Sequence, residues 1–86
     1  MPPEDIGKEA YDFVVANFLF GNADGLTYQD SLLAKGVIDS TGVLELVSFL
    51  KEHFNIHMDD DEIVPANLDS IQNMVNYVSR KSATQQ

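Results

Sequence analysis

The sequence predicts an all-α fold, a small four-helix bundle with three main helices plus a short third helix and a long loop between helices 1 and 2. Apolar residues recur every three or four positions over several stretches, which is the spacing of an amphipathic helix. No stretch shows the alternation of a half-buried strand, and the 86 residues allow one small core. We therefore expect a single domain over residues 1–81, followed by a polar tail over residues 82–86.

The first helix is predicted to follow Pro2-Pro3. Proline suits the first turn of a helix, and Glu4 and Asp5 suit the positive end of its dipole. Gly21-Asn22 is a typical C-terminal stop. The apolar residues that recur at helical spacing between these signals are Ile6, Ala10, Phe13, Val14 and Phe20.

The loop between helices 1 and 2 covers residues 21–39 and is too long for an ordinary helix hairpin. Asp24-Gly25 predicts a turn, and the segment from Asp30 to Ala34 predicts a short helical turn. A loop of this length that is pinned to the core is often functional. The apolar residues expected to pin it are Leu26, Tyr28, Leu32, Leu33, Val37 and Ile38.

The second helix is predicted from Ser40 to Phe54, with two distinct faces. Steps of about 100° per residue separate an apolar face, directed to the core, from an outward face. Leu44 is the one large apolar residue on the outward face, one turn after Ser40, where a docking partner would touch it. The apolar face consists of Val43, Leu46, Val47, Leu50 and Phe54. The outward face consists of Thr41, Leu44, Glu45, Ser48 and Glu52.

A short third helix is predicted after the acidic run Asp59–Glu62. It contains Ile63 and Val64, and Pro65 limits it. The aromatic and methionine side chains elsewhere are predicted to pack in or near the core. These are Phe13, Phe18, Phe20, Phe49, Phe54 and Met74.

The last helix is predicted to begin near Asp69 or Ser70. Asp69 and Gln72 have the spacing of a capping box. Arg80 and Lys81 suit the negative end of the helix dipole. The apolar face of this helix consists of Ile71, Met74, Val75 and Val78.

The composition narrows the class of function. With 14 acidic and 5 basic residues, the net charge is −9, so the surface repels nucleic acid and anionic membranes and favours basic partners. Because there is no cysteine, any thiol chemistry must come from a cofactor. No apolar run reaches membrane-spanning length, and the first residues lack the pattern of a signal peptide. We expect a cytoplasmic monomer that does not insert into membranes.

The most informative motif is Asp39-Ser40, where the long loop meets helix 2. Backbone N–H groups are free at such a junction and the helix dipole is positive, so a phosphate on the Ser40 hydroxyl would be stabilised. A simpler interpretation is that Asp39 or Ser40 only caps the helix. The residues by themselves leave both interpretations open.

Catalytic and metal sites have less support. A serine nucleophile needs a base, and the chain offers only His53 and His57, without a nucleophile-elbow pattern around Ser40. The two histidines and the acidic run Asp59–Glu62 lack the ligand spacing of a zinc or EF-hand site. We therefore predict no catalytic residue and no bound metal.

The segment from Ser31 to Val47 resembles the loop and second helix of the acyl carrier protein family. Its Gly-x-x-Asp-Ser motif ends at Ser40 and lies within an acidic four-helix pattern of the size expected for that family. The similarity is coarser elsewhere and covers residues 6–80, including Phe54 before the acidic loop and the closing helix.

The resemblance implies that a phosphopantetheinyl transferase attaches 4′-phosphopantetheine from coenzyme A to Ser40, with Asp39 helping to position the transferase and coenzyme A. The terminal thiol of the arm would carry an acyl or aminoacyl group as a thioester. The partners implied are this transferase, an acyl- or aminoacyl-loading ligase, and downstream synthase or transferase enzymes. They would dock on the outward face, formed by Thr41, Leu44, Glu45, Ser48 and Glu52.

Departures from the family pattern bear on the pathway. Fatty-acid carriers usually follow Asp-Ser with leucine and an acidic residue, whereas this chain has Thr41-Gly42, and Lys51 and His53 dilute the acidic helix. The pattern Asp-Ser-x-Gly-x-x-Glu-Leu is similar also to D-alanyl carrier proteins. We expect a freestanding carrier for fatty acid, polyketide, nonribosomal peptide or other specialised pathways, with an acyl or aminoacyl cargo. The alternative from another class is an unmodified acidic helical module that binds a partner through helix 2.

Overall fold

The all-α fold predicted from the sequence is confirmed. The structure, a computed structural model, describes residues 2–23 and 25–84, and over those residues it contains helices and no strand. Within the same residues no helix is both long and apolar enough to cross a membrane. The helices are α1 (Pro3–Phe18), α2 (Ser40–His53), a 3-10 helix (Asp60–Glu62), α3 (Pro65–Leu68) and α4 (Ile71–Thr84).

One hydrophobic core joins the four α-helices and the long loop. α1 packs on α4, α3 also packs on α4, and α2 contacts α1. Partly buried aromatic rings, including Phe13, Phe49 and Phe54, close the side of the core between α1 and α2. The buried apolar side chains are Ile6, Ala10, Val14, Leu26, Leu32, Ile38, Leu46, Val47, Leu50, Ile56, Met58, Leu68, Ile71, Met74, Val75, Tyr77 and Val78.

α1 ends earlier than predicted and leaves Phe20 outside the core. The helix stops at Phe18 because Phe20 and Gly21 adopt positive φ values of 54° and 86°. The N–H of Gly21 then donates to the carbonyl of Val15 at 2.9 Å and satisfies one of the last helical acceptors. Phe20 is 93% exposed, so its predicted place in the core is wrong.

The long loop is held on the core, as predicted, but by fewer side chains. The predicted helical turn is present as one hydrogen-bonded turn, in which the N–H of Lys35 donates to the carbonyl of Ser31 at 3.0 Å. Leu33, expected among the anchors, is 39% exposed, and Asp24 of the predicted turn lies outside the described residues. The buried anchors are Leu26, Leu32 and Ile38, and Tyr28 and Val37 pack against the core as partly buried side chains.

The region between α2 and α4 differs from the prediction. Ile63 and Val64, expected inside the third helix, lie between the 3-10 helix and α3 and belong to neither. Pro65 begins α3 rather than limiting a helix before it. Proline favours this first helical position because its fixed φ is already helical and its missing N–H is not needed there.

α4 begins close to the predicted position, with a different cap. The Oγ of Ser70 accepts the third N–H of the helix at 3.0 Å. The predicted capping box of Asp69 and Gln72 is wrong, because the Asp69 carboxylate bonds to the long loop and the N–H of Gln72 donates to the carbonyl of Tyr28. α4 ends at Thr84, so its last turn overlaps the predicted polar tail, and Gln85 and Gln86 lie outside the described residues.

Candidate functional site

The junction of the long loop and α2 leaves the Ser40 hydroxyl exposed at the first helical position. Asp39 has an extended backbone, with φ −118° and ψ −171°, and its Oδ1 accepts the N–H of Gly42 at 2.8 Å. Asp39, rather than Ser40, therefore supplies the capping oxygen. The N–H groups of Ser40 and Thr41 have no acceptor within the helix, so the positive end of the helix dipole lies at the hydroxyl.

An apolar pocket of about 330 Å³ opens beside Ser40. It lies between the start of α2, the long loop and the segment that leads through α3 to Asp69. In the described part of the chain, Ser40 and Asp69 are the two polar residues of its lining. The full lining is Leu33, Ile38, Ser40, Val43, Leu44, Ile63, Val64, Pro65, Leu68 and Asp69.

Close packing explains why glycine occupies position 42. A Cβ added to Gly42 would lie 3.1 Å from Cε1 of Phe18 and 3.3 Å from Cβ of Ile38. Phe18 is the last residue of α1, and Ile38 lies one residue before the end of the long loop. The glycine thus lets α1 and the loop approach the first turn of α2, directly behind Ser40.

The two faces of α2 are separated as the sequence indicates. Leu46, Val47 and Leu50 are buried, and Val43 and Phe54 are half-buried against the core. Leu44 is 62% exposed, and each of the other outward residues is exposed as well. This outward set of exposed residues is Thr41, Leu44, Glu45, Ser48 and Glu52.

The carboxylate of Asp69, beside the pocket, does not cap α4 as the sequence predicts but binds the long loop. The Oδ2 of Asp69 accepts the hydroxyl of Ser31 at 2.5 Å, and its Oδ1 accepts the N–H of Leu33 at 2.9 Å. The carbonyl of Asp69 also accepts the N–H of Leu32 at 2.7 Å. We call these three hydrogen bonds the Asp69 tie. No sequence signal indicated it, because its partners are more than thirty positions apart.

The two histidines take part in surface contacts. His53 Nε2 lies 3.5 Å from a carboxylate oxygen of Glu9, and its ring stacks on Phe49 with centroids 4.9 Å apart. His57 Nε2 lies 2.7 Å from Oδ1 of Asp59. Among the described residues, no group of three or more histidine, aspartate or glutamate side chains could hold a metal ion.

Midway along α4 lies a tyrosine with a buried hydroxyl. Tyr77 is 2% exposed, and in the described part of the chain its hydroxyl has no hydrogen-bond partner. Burial, followed by the nearby Glu62 carboxylate, raises the pKa of Tyr77 to about 12. Tyr77 is not among the residues that line the pocket beside Ser40, so we assign it to the core.

Fold and site together define a small helical domain with an exposed serine at a capped helix start beside an apolar pocket. The probable acyl carrier protein PigG of Serratia sp. (strain ATCC 39006) is 36% identical to this chain over 70 residues, which cover 81% of this chain and 80% of that protein. None of the known family models matches the chain. At this identity and coverage, the chain belongs to the acyl carrier protein family, which confirms the resemblance found in the sequence.

Proposed function

We propose that this chain is a non-catalytic carrier that holds acyl or aminoacyl intermediates as thioesters on a 4′-phosphopantetheine arm attached to Ser40. The observation that carries the proposal is the exposed Ser40 hydroxyl at the first position of α2, next to an apolar pocket. Membership of the acyl carrier protein family supports the same role.

The surroundings of Ser40 fit a phosphodiester. The N–H groups of Ser40 and Thr41 are free of intrahelical acceptors, whereas that of Gly42 is occupied by Asp39. Two N–H donors and the positive helix end therefore remain for phosphate oxygens, without any need for a lysine or arginine. When bound, the arm supplies a thiol on a flexible tether, which this cysteine-free chain lacks.

Attachment requires a base from the transferase. The Ser40 oxygen forms a bond to phosphorus, the pyrophosphate bond of coenzyme A breaks, and the nucleotide portion leaves. The proton of the hydroxyl must go to a base. Among the described residues, Asp69 is the one carboxylate in the pocket lining, and both of its oxygens already accept hydrogen bonds, while Asp39 accepts the N–H of Gly42 as the helix cap. The chain therefore contributes the nucleophile and the anion-stabilising helix end, and the transferase contributes the proton acceptor.

The pocket supports a cargo with an apolar part. Its lining is apolar except for Ser40 and Asp69, and burying each methylene group there is worth about 0.8 kcal/mol. A short aminoacyl group would gain little from such a lining. The acyl form of the proposal is therefore favoured over a D-alanyl or other aminoacyl carrier, within fatty acid, polyketide, nonribosomal peptide or other specialised pathways.

The outward face of α2 is proposed as the surface for partner enzymes. Glu45 and Glu52 are exposed there and attract basic residues of a transferase, a loading ligase or a downstream synthase. Leu44 is 62% exposed at the rim of the pocket, so it offers an apolar contact next to Ser40. Thr41 and Ser48 are exposed on the same side.

Intact-mass measurement tests the attachment. The protein is incubated with coenzyme A and a broad-specificity phosphopantetheinyl transferase, and we expect a mass gain of one phosphopantetheine. Ser40→Ala abolishes the gain, whereas Ser48→Ala, at another exposed serine of α2, retains it. Absence of any gain, while a known carrier is modified under the same conditions, contradicts the proposal.

The variants Ser40→Ala and Leu44→Asp distinguish a carrier from an unmodified interaction module. A module that only docks through α2 binds its partner equally well with Ser40 or Ser40→Ala, and loses binding with Leu44→Asp. A carrier requires Ser40 for transfer of cargo, and Leu44→Asp slows its modification without removing the acceptor hydroxyl. Partner binding and mass gain are therefore measured on both variants.

A further inference from the structure

The Asp69 tie connects two walls of the pocket beside Ser40. Leu33, on the loop side, and Leu68, on the α3 side, both line the pocket. Asp69 follows Leu68 directly in the chain, and its Oδ1 holds the N–H of Leu33 at 2.9 Å. The distance between these two walls is therefore limited by hydrogen bonds to a single residue.

Apolar packing alone gives the loop wall limited support. Leu33 is 39% exposed, so it is only partly held by contact with the core. The hydroxyl of Ser31 bonds to Asp69 at 2.5 Å and also accepts the N–H of Ala34 at 3.1 Å, so the tie fixes the whole turn around Leu33. Removing the carboxylate leaves the N–H of Leu33 without its acceptor and loosens this turn, which keeps the bond from the N–H of Leu32 to the main-chain carbonyl of Asp69.

We propose that Asp69 is a positioning residue that fixes the mouth of the pocket beside Ser40 and so determines how well an apolar cargo is shielded from water. This inference rests on the proposed function, because the cargo is taken to be linked through Ser40. A carboxylate suits the task because its two oxygens accept two hydrogen bonds from the loop at once. Asparagine retains one such oxygen, so Asp69→Asn keeps part of the tie.

The unmodified protein provides the first test. Amide hydrogen exchange, resolved by residue, is compared for wild type, Asp69→Ala and Asp30→Ala. Asp30 is the matched control, since its carboxylate accepts the N–H of Thr27 in the same loop but does not line the pocket. We expect about 3- to 10-fold faster exchange at Leu33 in Asp69→Ala, as loss of one hydrogen bond implies, and no such change there in Asp30→Ala. An unchanged exchange rate at Leu33 in Asp69→Ala would contradict the proposal that the Asp69 tie holds the loop.

The loaded protein provides the second test. Octanoyl and acetyl arms are transferred from the corresponding coenzyme A thioesters, and the cleavage rate of each thioester by hydroxylamine is measured. In wild type we expect the octanoyl thioester to be cleaved more slowly than the acetyl thioester. Asp69→Ala should reduce the ratio of the acetyl to the octanoyl cleavage rate by about threefold or more, and Asp69→Asn should reduce it by less. Equal rates for the two cargoes in wild type, or an unchanged ratio in Asp69→Ala, overturn the inference.

These outcomes separate the inference from the proposed function. If wild type accepts neither arm, the proposed function fails, and the exchange experiment still decides whether the tie holds the loop. If Asp69→Ala does not fold, Ser31→Ala replaces it, because it removes the hydroxyl bond to Asp69 and the bond from the N–H of Ala34 but leaves the N–H of Leu33 bound to Asp69. For Ser31→Ala the same two changes are expected in smaller degree, and the absence of both contradicts the inference.

Discussion

Replacement of Asp39 by alanine tests whether this residue holds the start of α2 in place. The variant removes the hydrogen bond of 2.8 Å from the N–H of Gly42 and the negative charge at the positive end of the helix dipole. Loss of such a cap costs about 1 kcal/mol, and loss of the charge costs about 0.5 kcal/mol more. The free energy of unfolding should therefore fall by about 1.5 kcal/mol.

Thermal unfolding followed by circular dichroism measures this loss. For a domain of this size, about 1.5 kcal/mol corresponds to a decrease in Tm of about 6–12 °C. Asp39→Asn is the matched control because asparagine caps helices equally well and removes only the charge. It should lose about a third as much stability as Asp39→Ala, and this smaller loss should disappear at high salt.

Two results would contradict this role of Asp39 in stabilising α2. A Tm of Asp39→Ala within about 1 °C of wild type would mean that the capping bond does not stabilise α2. Equal losses for Asp39→Ala and Asp39→Asn would mean that charge, and not the capping oxygen, is what matters. In the first case the role of Asp39 would lie in partner binding, as the family resemblance implies, and not in the fold.

Three further substitutions test the packing of the fold and the effect of Tyr77 ionisation on its stability. Phe20→Asn should raise the free energy of unfolding, measured by urea titration, by about 0.5–1 kcal/mol, since asparagine tolerates the positive φ of 54° and the exposed ring buries little; a loss of stability would contradict this. Gly7→Ala should destabilise by about 1 kcal/mol in the same assay, because its Cβ would lie 2.7 Å from Cε2 of Tyr28; a more stable variant would show that the ring moves freely. The neutral form of Tyr77, whose pKa is raised to about 12, stabilises the fold fully below about pH 10, and this stability is lost as pH rises through about 12. Tyr77→Phe should remove about 1 kcal/mol of the alkaline loss measured between about pH 9 and pH 11, and an unchanged pH profile would exclude Tyr77 as its source.

Helices with strong periodicity and local caps could be predicted from the sequence. α2 begins at Ser40 as expected, because Asp39 provides a local cap, and its buried side is marked by Leu46, Val47 and Leu50 at helical spacing. The exposure of Leu44 follows from the same periodicity. These features depend on residues within one or two turns of each other, which is the range over which a sequence pattern is informative.

Features that depend on distant contacts were not predictable. Asp69 has the spacing of a helix cap, yet its carboxylate bonds to Ser31 and Leu33 in the long loop, and Ser70 caps the helix instead. Phe20 continues the apolar spacing of α1, but the turn of the chain at Phe20 and Gly21 ends the helix first. The pocket beside Ser40 likewise combines residues from three separate segments.

The proposed function depends on attachment of the phosphopantetheine arm to Ser40. The most direct test is fragmentation mass spectrometry of the wild-type protein after treatment with coenzyme A and a phosphopantetheinyl transferase. We expect the fragment ions to place a single phosphopantetheine on Ser40 and to leave Thr41 and Ser48 unmodified. Attachment to another residue, or no attachment while a known carrier is modified in parallel, would contradict it.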